Sequence, residues 1–103
     1  MNRSEPLTTF LVERYLPAAD AQDLADSVVR LAMICADLTD LPGEGPAVRY
    51  LQSVYLPSED ACFCVFAATS SAAVLAVNTA ADFPLDRITV GVALLVPSSG
   101  GAP

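Results

Sequence analysis

Apolar and polar positions follow two periodicities along this 103-residue chain, and the changes between them mark its elements. Runs rich in β-branched and aromatic residues predict strands. The second and third runs are separated only by the polar turn Pro57 to Asp60, so together they predict a β-hairpin. The predicted strands are Thr8 to Leu16, ended by Pro17, the two arms of the hairpin from Val48 to Ala68, and Ile88 to Val96.

Two segments between these runs have helical periodicity instead. Asp20 is a favourable N-cap, and an apolar stripe with spacings of four and three follows it. Ser70 caps a second, alanine-rich helix from Ser71 to about Asp82, and Phe83-Pro84 ends it. The stripes are Leu24, Val28, Leu31, Cys35 and Leu38 in the first helix, and Val74, Val77 and Ala81 in the second.

The resulting order β-α-β-β-α-β predicts an α+β protein with a ferredoxin-like fold. Right-handed crossovers and the hairpin give a four-stranded antiparallel sheet in the order 4-1-3-2, with two helices on one face. We expect residues 1–96 to form a single domain. Residues 97–103 (PSSGGAP) are expected to be a disordered tail.

The strands are apolar on both of their faces, although a sheet with helices on one face needs only one apolar face. The last run places Ile88, Val90 and Val92 on one side, with apolar residues also present on the other. A second copy packed sheet against sheet would bury the open face and protect the edge strands. The sequence therefore predicts a homodimer, a dimeric α+β barrel, with the chain itself as partner.

Charge narrows the possible partners. Twelve acidic residues against five arginines, with no lysine, give a formal net charge of −7. Such a surface disfavours nucleic acid and anionic membranes as partners. No apolar run reaches the length of a membrane span, and residues 1–7 do not resemble a signal peptide. We therefore expect a cytoplasmic protein.

The chain has no histidine, which removes the commonest general base and the commonest transition-metal ligand. Its three cysteines are Cys35, Cys62 and Cys64. Cys62 and Cys64 share one face of a strand and have no lysine, arginine or histidine close in sequence. They are therefore expected to be buried small hydrophobes with ordinary thiols, rather than a thiolate metal site.

The few polar side chains of the strands are the candidate site residues. Glu13 and Arg14 point to opposite faces of the first strand, and simple alternation places Arg49, Ser53 and Tyr55 together on one face of the second. A small polar ligand would be bound by Glu13, Arg14, Arg49, Ser53 and Tyr55; the alternative is a rim ion pair with packing tyrosines. Carboxylates that could take a cation are Glu13, Glu59 and Asp60.

The segments LVERYLP (11–17), VRYLQSVYLPSEDACFCVFAA (48–68) and PLDRI (84–88), together with Asn78, resemble one family of small actinobacterial proteins. This family is a domain of unknown function that is also described as nickel-binding. The resemblance runs from about residue 9 to 93 and implies a ferredoxin-like fold and a dimeric α+β barrel. It also implies a role for nickel, whereas the residues themselves predict no cofactor, because no imidazole is available.

The functional prediction is a small homodimeric binding or sensing protein of unidentified ligand, with nickel as the ligand that the resemblance implies. The alternative is a cofactor-free enzyme of the dimeric α+β barrel type, an isomerase or a monooxygenase. In that case Glu13 or a tyrosine would act as the acid–base residue. The absence of histidine and of nucleophile or phosphate-loop motifs favours a binding protein over an enzyme. No residue is assigned a catalytic role.

Overall fold

A computed structural model describes residues 7–39 and 48–94 of the chain. It contains four strands and two helices in the predicted order, joined into one antiparallel sheet of order β2-β3-β1-β4, which is the predicted 4-1-3-2 read from its other edge. The elements are β1 (Thr8–Tyr15), α1 (Ala21–Thr39), β2 (Val48–Leu56), β3 (Ala61–Ala68), α2 (Ser71–Ala80) and β4 (Arg87–Gly91).

Both helices begin at the predicted caps. The Asp20 carboxylate accepts a hydrogen bond from the Asp23 amide at 2.9 Å, and the Ser70 hydroxyl accepts one from the Ala73 amide at 3.1 Å. These bonds satisfy amides that have no partner within the helix, which fixes where each helix starts. A single-turn 3₁₀ helix, Pro57–Glu59, joins the hairpin strands, and Asp60 closes it with a left-handed φ of 51°.

The core lies between the helices and one face of the sheet, here called the helix face. Phe10 pairs with Phe66 and Val12 with Cys64 across β1 and β3, and all four side chains are buried. The helices add the predicted stripes, among them the buried Leu24, Leu31, Cys35, Val74 and Val77. Burying each large apolar side chain stabilises the fold by roughly 1.5–3 kcal/mol, and this free energy holds the helices on the sheet.

The last strand is shorter than predicted. β4 ends at Gly91 rather than Val96, and Val92 and Leu94 lie beyond it with exposed side chains.

The interval from 40 to 47 and the predicted tail, 97–103, lie outside the described residues. Within the described ranges, neither helix combines the length and apolar character needed to cross a membrane.

A β-bulge in β2 overturns the predicted arrangement of its side chains. The pairing with β3 shifts by one residue between Tyr50 and Gln52, so Leu51 is extra. As a result Ser53 and Tyr55 pair with Cys64 and Cys62 on the helix face, whereas Arg49 pairs with Ala67 on the other face. The prediction that Arg49 shares a face with Ser53 and Tyr55 was wrong, because alternation fails across a bulge.

Deleting Leu51 should preserve the fold, because Tyr50 and Gln52 then become neighbours that already alternate between the faces. Deleting Val54 should lower the melting temperature far more, since it turns Tyr55 and Leu56 onto the wrong faces. Thermal unfolding followed by circular dichroism compares the two deletions. Equal losses would contradict the bulge.

Candidate functional site

Arg14 lies at the centre of the polar part of this core and is completely buried. Its Nη1 donates to the carbonyl oxygens of Phe83 and Pro84, at 3.1 and 3.2 Å. Its Nη2 donates to Asn78 Oδ1 at 2.8 Å and to Cys64 Sγ at 3.3 Å. Arg14 therefore ties β1 to β3, to α2 and to the segment that leaves α2.

The end of α2 is shaped so that its carbonyls meet this guanidinium. The Phe83 amide donates to the Asn78 carbonyl and the Asp82 amide to the Thr79 carbonyl, both at 3.0 Å, with Asp82 at a left-handed φ of 55°. This is the Schellman arrangement that reverses a chain after a helix. The reversal brings Phe83 over Arg14, with the guanidinium carbon 3.6 Å from the ring centre.

Cys64 receives hydrogen bonds from two strands. Besides Arg14 of β1, Ser53 of β2 donates from its hydroxyl to Cys64 Sγ at 2.9 Å, and Tyr50 Oη lies 2.8 Å from the same hydroxyl. The hydrogen bond from the Cys62 thiol and the positive charge of Arg14 lower the pKa of Cys64 to about 6, against the opposing effect of burial. The bond to Cys64 and burial raise the pKa of Cys62, and burial raises that of Cys35 to about 11.

Two parts of the cysteine prediction have different outcomes. All three cysteines are buried, as predicted, and none of them forms a disulfide. The expectation that no cation lies near Cys64 was wrong, because Arg14 is 50 residues away in sequence but faces Cys64 from the neighbouring strand. The alternation of Phe10, Val12 and Arg14 was the available signal, since it places Arg14 on the face of two core residues.

Glu13 points to the other side of the sheet, as predicted, and forms a second polar group there. Arg87 of β4 donates to both of its carboxylate oxygens, at 2.9 and 3.1 Å, and the Tyr15 hydroxyl donates to one of them at 3.1 Å. The hydrogen bond from Arg87 is the main cause that lowers the pKa of Glu13, and the bond to Glu13 raises the pKa of Tyr15. Glu13 is thus an ionised, fully bonded carboxylate.

The structure separates most of the predicted site residues. Arg14 and Ser53 meet at Cys64, and the Tyr55 hydroxyl lies on the same face, 3.5 Å from the Ala19 carbonyl. Arg49 lies on β2, which β3 separates from β1 and Glu13. Glu59 and Asp60 occupy the hairpin turn. Among the described residues, no three side chains of His, Cys, Asp or Glu are grouped as metal ligands would be.

Two clefts flank the corner formed by Phe83 and Pro84, which Arg14 holds from beneath. One, of about 350 Å³, lies between the end of β1 and the start of α1, with Tyr15, Asp23 and Asp82 among its polar lining. The other, of about 310 Å³, lies beside α2 and reaches Asn78. Neither is lined by the predicted ligand residues Glu13, Arg49, Ser53 or Tyr55.

The fold and the site define a small ferredoxin-like α+β protein whose helix layer is fastened to its sheet by a buried arginine. Residues 10–90 match the SCO4226-like family, described as nickel responsive protein SCO4226-like, and the chain belongs to that family. The matched region contains Arg14, Cys64, Asn78 and the Phe83-Pro84 corner. Searches of the curated proteins and of the solved structures gave no match.

Replacing Asn78 by alanine should lower the free energy of unfolding by roughly 1–3 kcal/mol, because the buried Arg14 charge loses a hydrogen-bond acceptor. The matched control is Thr79→Ala on the exposed side of the same helix, expected to change stability by less than about 0.5 kcal/mol. Urea unfolding measures both variants. Equal effects would show that the Arg14–Asn78 bond contributes little.

Proposed function

We propose that this protein is a cytoplasmic homodimeric binding or sensing protein that takes part in a nickel response, as the name of its family suggests. The observation that supports the dimer is the apolar character of the sheet face opposite the helices, here called the open face. No described helix covers it, yet its residues are largely apolar. A second copy of the chain is the proposed occupant of that face.

The apolar residues of the open face run across the middle of the sheet. Leu11 of β1 pairs with Val65 of β3, and Phe63 of β3 pairs with Val54 of β2. Val54 is 48% exposed in the single chain, and Leu11, Phe63 and Val65 are half-buried. An antiparallel sheet that faces water normally presents polar residues there, and a contiguous apolar surface is typical of a contact between proteins.

Charge supports pairing of this face with its own copy. The whole chain has a net charge of −7, which opposes association of two copies. The strand residues of the open face, however, include two arginines, Arg49 and Arg87, and only one carboxylate, Glu13. The acidic excess of the protein is thus absent from these strands, so two open faces can approach without strong repulsion.

A second exposed apolar surface lies at the β4 edge of the sheet, where Val90 pairs with Phe10 and so points to the helix side rather than to the open face. Val90, Val92 and Leu94 follow one another along and beyond β4 with 66, 83 and 88% of their surface exposed. Exposed apolar residues on an edge strand invite aggregation unless another chain covers them. A second copy that covers both the open face and this edge would remove the hazard.

The dimer is tested with Val54→Asp, expected to give a folded monomer because it places a charge within the proposed contact but on a side chain already half exposed. The matched control is Val29→Asp on α1, 57% exposed and remote from the open face, which should remain dimeric. Analytical ultracentrifugation measures the mass, and circular dichroism confirms folding. A wild-type monomer, or a dimeric Val54→Asp, would refute the proposed interface.

The donor groups within residues 7–39 and 48–94 of one chain do not fit a resident nickel ion. Nickel in proteins is usually bound by imidazole, thiolate or several carboxylates. The chain has no histidine, and two potential metal donors, the Glu13 carboxylate and the Cys64 sulfur, are each bonded to a guanidinium that would repel a cation. The proposed response to nickel therefore does not rest on a mononuclear site built from the described residues of one chain.

Calorimetric titration of the tag-free protein with nickel should show no binding at one ion per chain with micromolar affinity. A polyhistidine tag must be removed, because it supplies the imidazole ligands that the chain lacks. Binding of one ion per two chains would place the site between copies and support a dimeric sensor. Binding of one ion per chain would refute this part of the proposal and direct mutation to Glu13, Glu59 and Asp60.

A further inference from the structure

We propose that Cys64 is a thiolate in the folded protein, and that it forms a buried ion pair with Arg14 which holds the Phe83-Pro84 corner in place. This goes beyond the proposed dimer and its response to nickel, and it does not depend on either. The pair would act as a built-in switch, since loss of the negative charge on Cys64 would loosen the corner between the two clefts.

Charge balance in the core requires an anion beside Arg14. Arg14 is completely buried, and a buried cation without an anion is strongly unfavourable. In the described part of the chain, its bonded partners are two backbone carbonyls, one neutral amide and Cys64. Cys64 is the only one of these partners that can carry a negative charge.

More than one hydrogen-bond donor converges on the Cys64 sulfur. A neutral thiol is a weak acceptor, whereas a thiolate accepts strongly. Arg14 Nη2 and Ser53 Oγ point at Cys64 Sγ at 3.3 and 2.9 Å. Because Ser53 gives its one proton to Cys64, the hydrogen bond between Tyr50 and Ser53 must be donated by Tyr50. The donors thus form a chain that ends on the sulfur.

Within the part of the chain that the structure describes, no carboxylate competes with Cys64 for Arg14. The charged and titratable groups that face Cys64 are Arg14 from β1, Tyr50 from β2 and Cys62 from β3; α2 presents the neutral Asn78. α1 contributes Cys35 to the same core, and burial raises the pKa of that thiol to about 11. Burial likewise raises the pKa of Tyr50. Cys64 is therefore the group expected to ionise first.

The second terminal nitrogen of Arg14 links Cys64 to the clefts. The same guanidinium that meets Cys64 through Nη2 binds the carbonyls of Phe83 and Pro84 through Nη1. Both residues line both clefts. The protonation state of the Cys64 sulfur is thereby connected to the shape of the two clefts through one planar guanidinium.

The charge state is tested by the pH dependence of the cysteine ¹³Cβ chemical shifts in the full-length, tag-free protein, assigned with single Cys→Ser variants. We expect the Cys64 signal to titrate with a midpoint below 8 and the Cys35 signal to stay unchanged up to pH 9. A Cys64 signal that remains in the thiol range at pH 8 would overturn the proposal.

Arg14→Met removes the cation but risks unfolding, so Ser53→Ala is the second variant. It removes one donor from the half-buried edge strand, and we expect the Cys64 midpoint to rise by roughly 0.5–1 pH unit. Gln52→Ala, the next residue on the opposite face of β2, is the matched control and should leave the midpoint unchanged. Equal midpoints in both variants would refute the role of the Ser53 donor.

The pH dependence of the free energy of unfolding tests the charge of Cys64 independently. A pKa of about 6 in the folded chain against about 9 in the unfolded one means that the unfolded state binds more protons between these values. The free energy of unfolding should therefore rise with pH from about 6 to 9 and be lost as pH falls through 6. No histidine titrates in this range, and the slope should vanish in Cys64→Ser. An unchanged slope in Cys64→Ser would contradict the ion pair.

Amide hydrogen exchange tests the connection to the corner. In Cys64→Ser the amides of Asp82 and Phe83, which close the end of α2, should exchange at least several-fold faster than in wild type. Cys35→Ser is the matched control, because it makes the same substitution in the same core and keeps the Arg14–Cys64 pair. Equal exchange at these amides in both variants would refute the switch.

Discussion

The structure depends on the requirement that a fully buried guanidinium find acceptors: both terminal nitrogens of Arg14 do, whereas its buried Nε has no hydrogen-bond partner among the described residues. Arg14 enters the core from β1, and every group that it binds belongs to a different part of the fold: Cys64 on β3, Asn78 on α2, and the carbonyls of Phe83 and Pro84. Removing a buried ion's partner costs roughly 3–5 kcal/mol, which is comparable with a large part of the net stability of a domain this small. The position of α2 on the sheet and the path into β4 are therefore fixed together.

The two faces of the sheet differ in whether helices cover them. The helix face is closed, because apolar side chains and the Arg14 bonds fill the space beneath both helices. The open face is not filled by the described chain and carries Leu11, Phe63 and Val65 beside the Glu13–Arg87 pair. The proposed switch at Cys64 lies on one face, and the proposed association uses the other.

The connection to nickel rests on the family to which the chain belongs, and the described residues contain no group of metal ligands. The Glu13 carboxylate and the Cys64 sulfur, which could otherwise donate to a cation, are each already bonded to an arginine. A protein of this design can still respond to metal through its interface, its clefts or its thiols. Each of these routes leaves a different signature in mass, stoichiometry or cysteine ionisation.

The sequence by itself determined the elements, their order and the strand order of the sheet, because caps, apolar stripes and handedness rules act over short stretches of chain. Asp20, Ser70 and the Phe83-Pro84 stop needed no tertiary information. The tertiary structure alone decided the partners across strands. The bulge at Leu51 reversed the face of Arg49 relative to Ser53, and the register of β1 on β3 brought Arg14 to Cys64, 50 residues away. Such contacts depend on single-residue pairing over long separations, which local periodicity cannot encode.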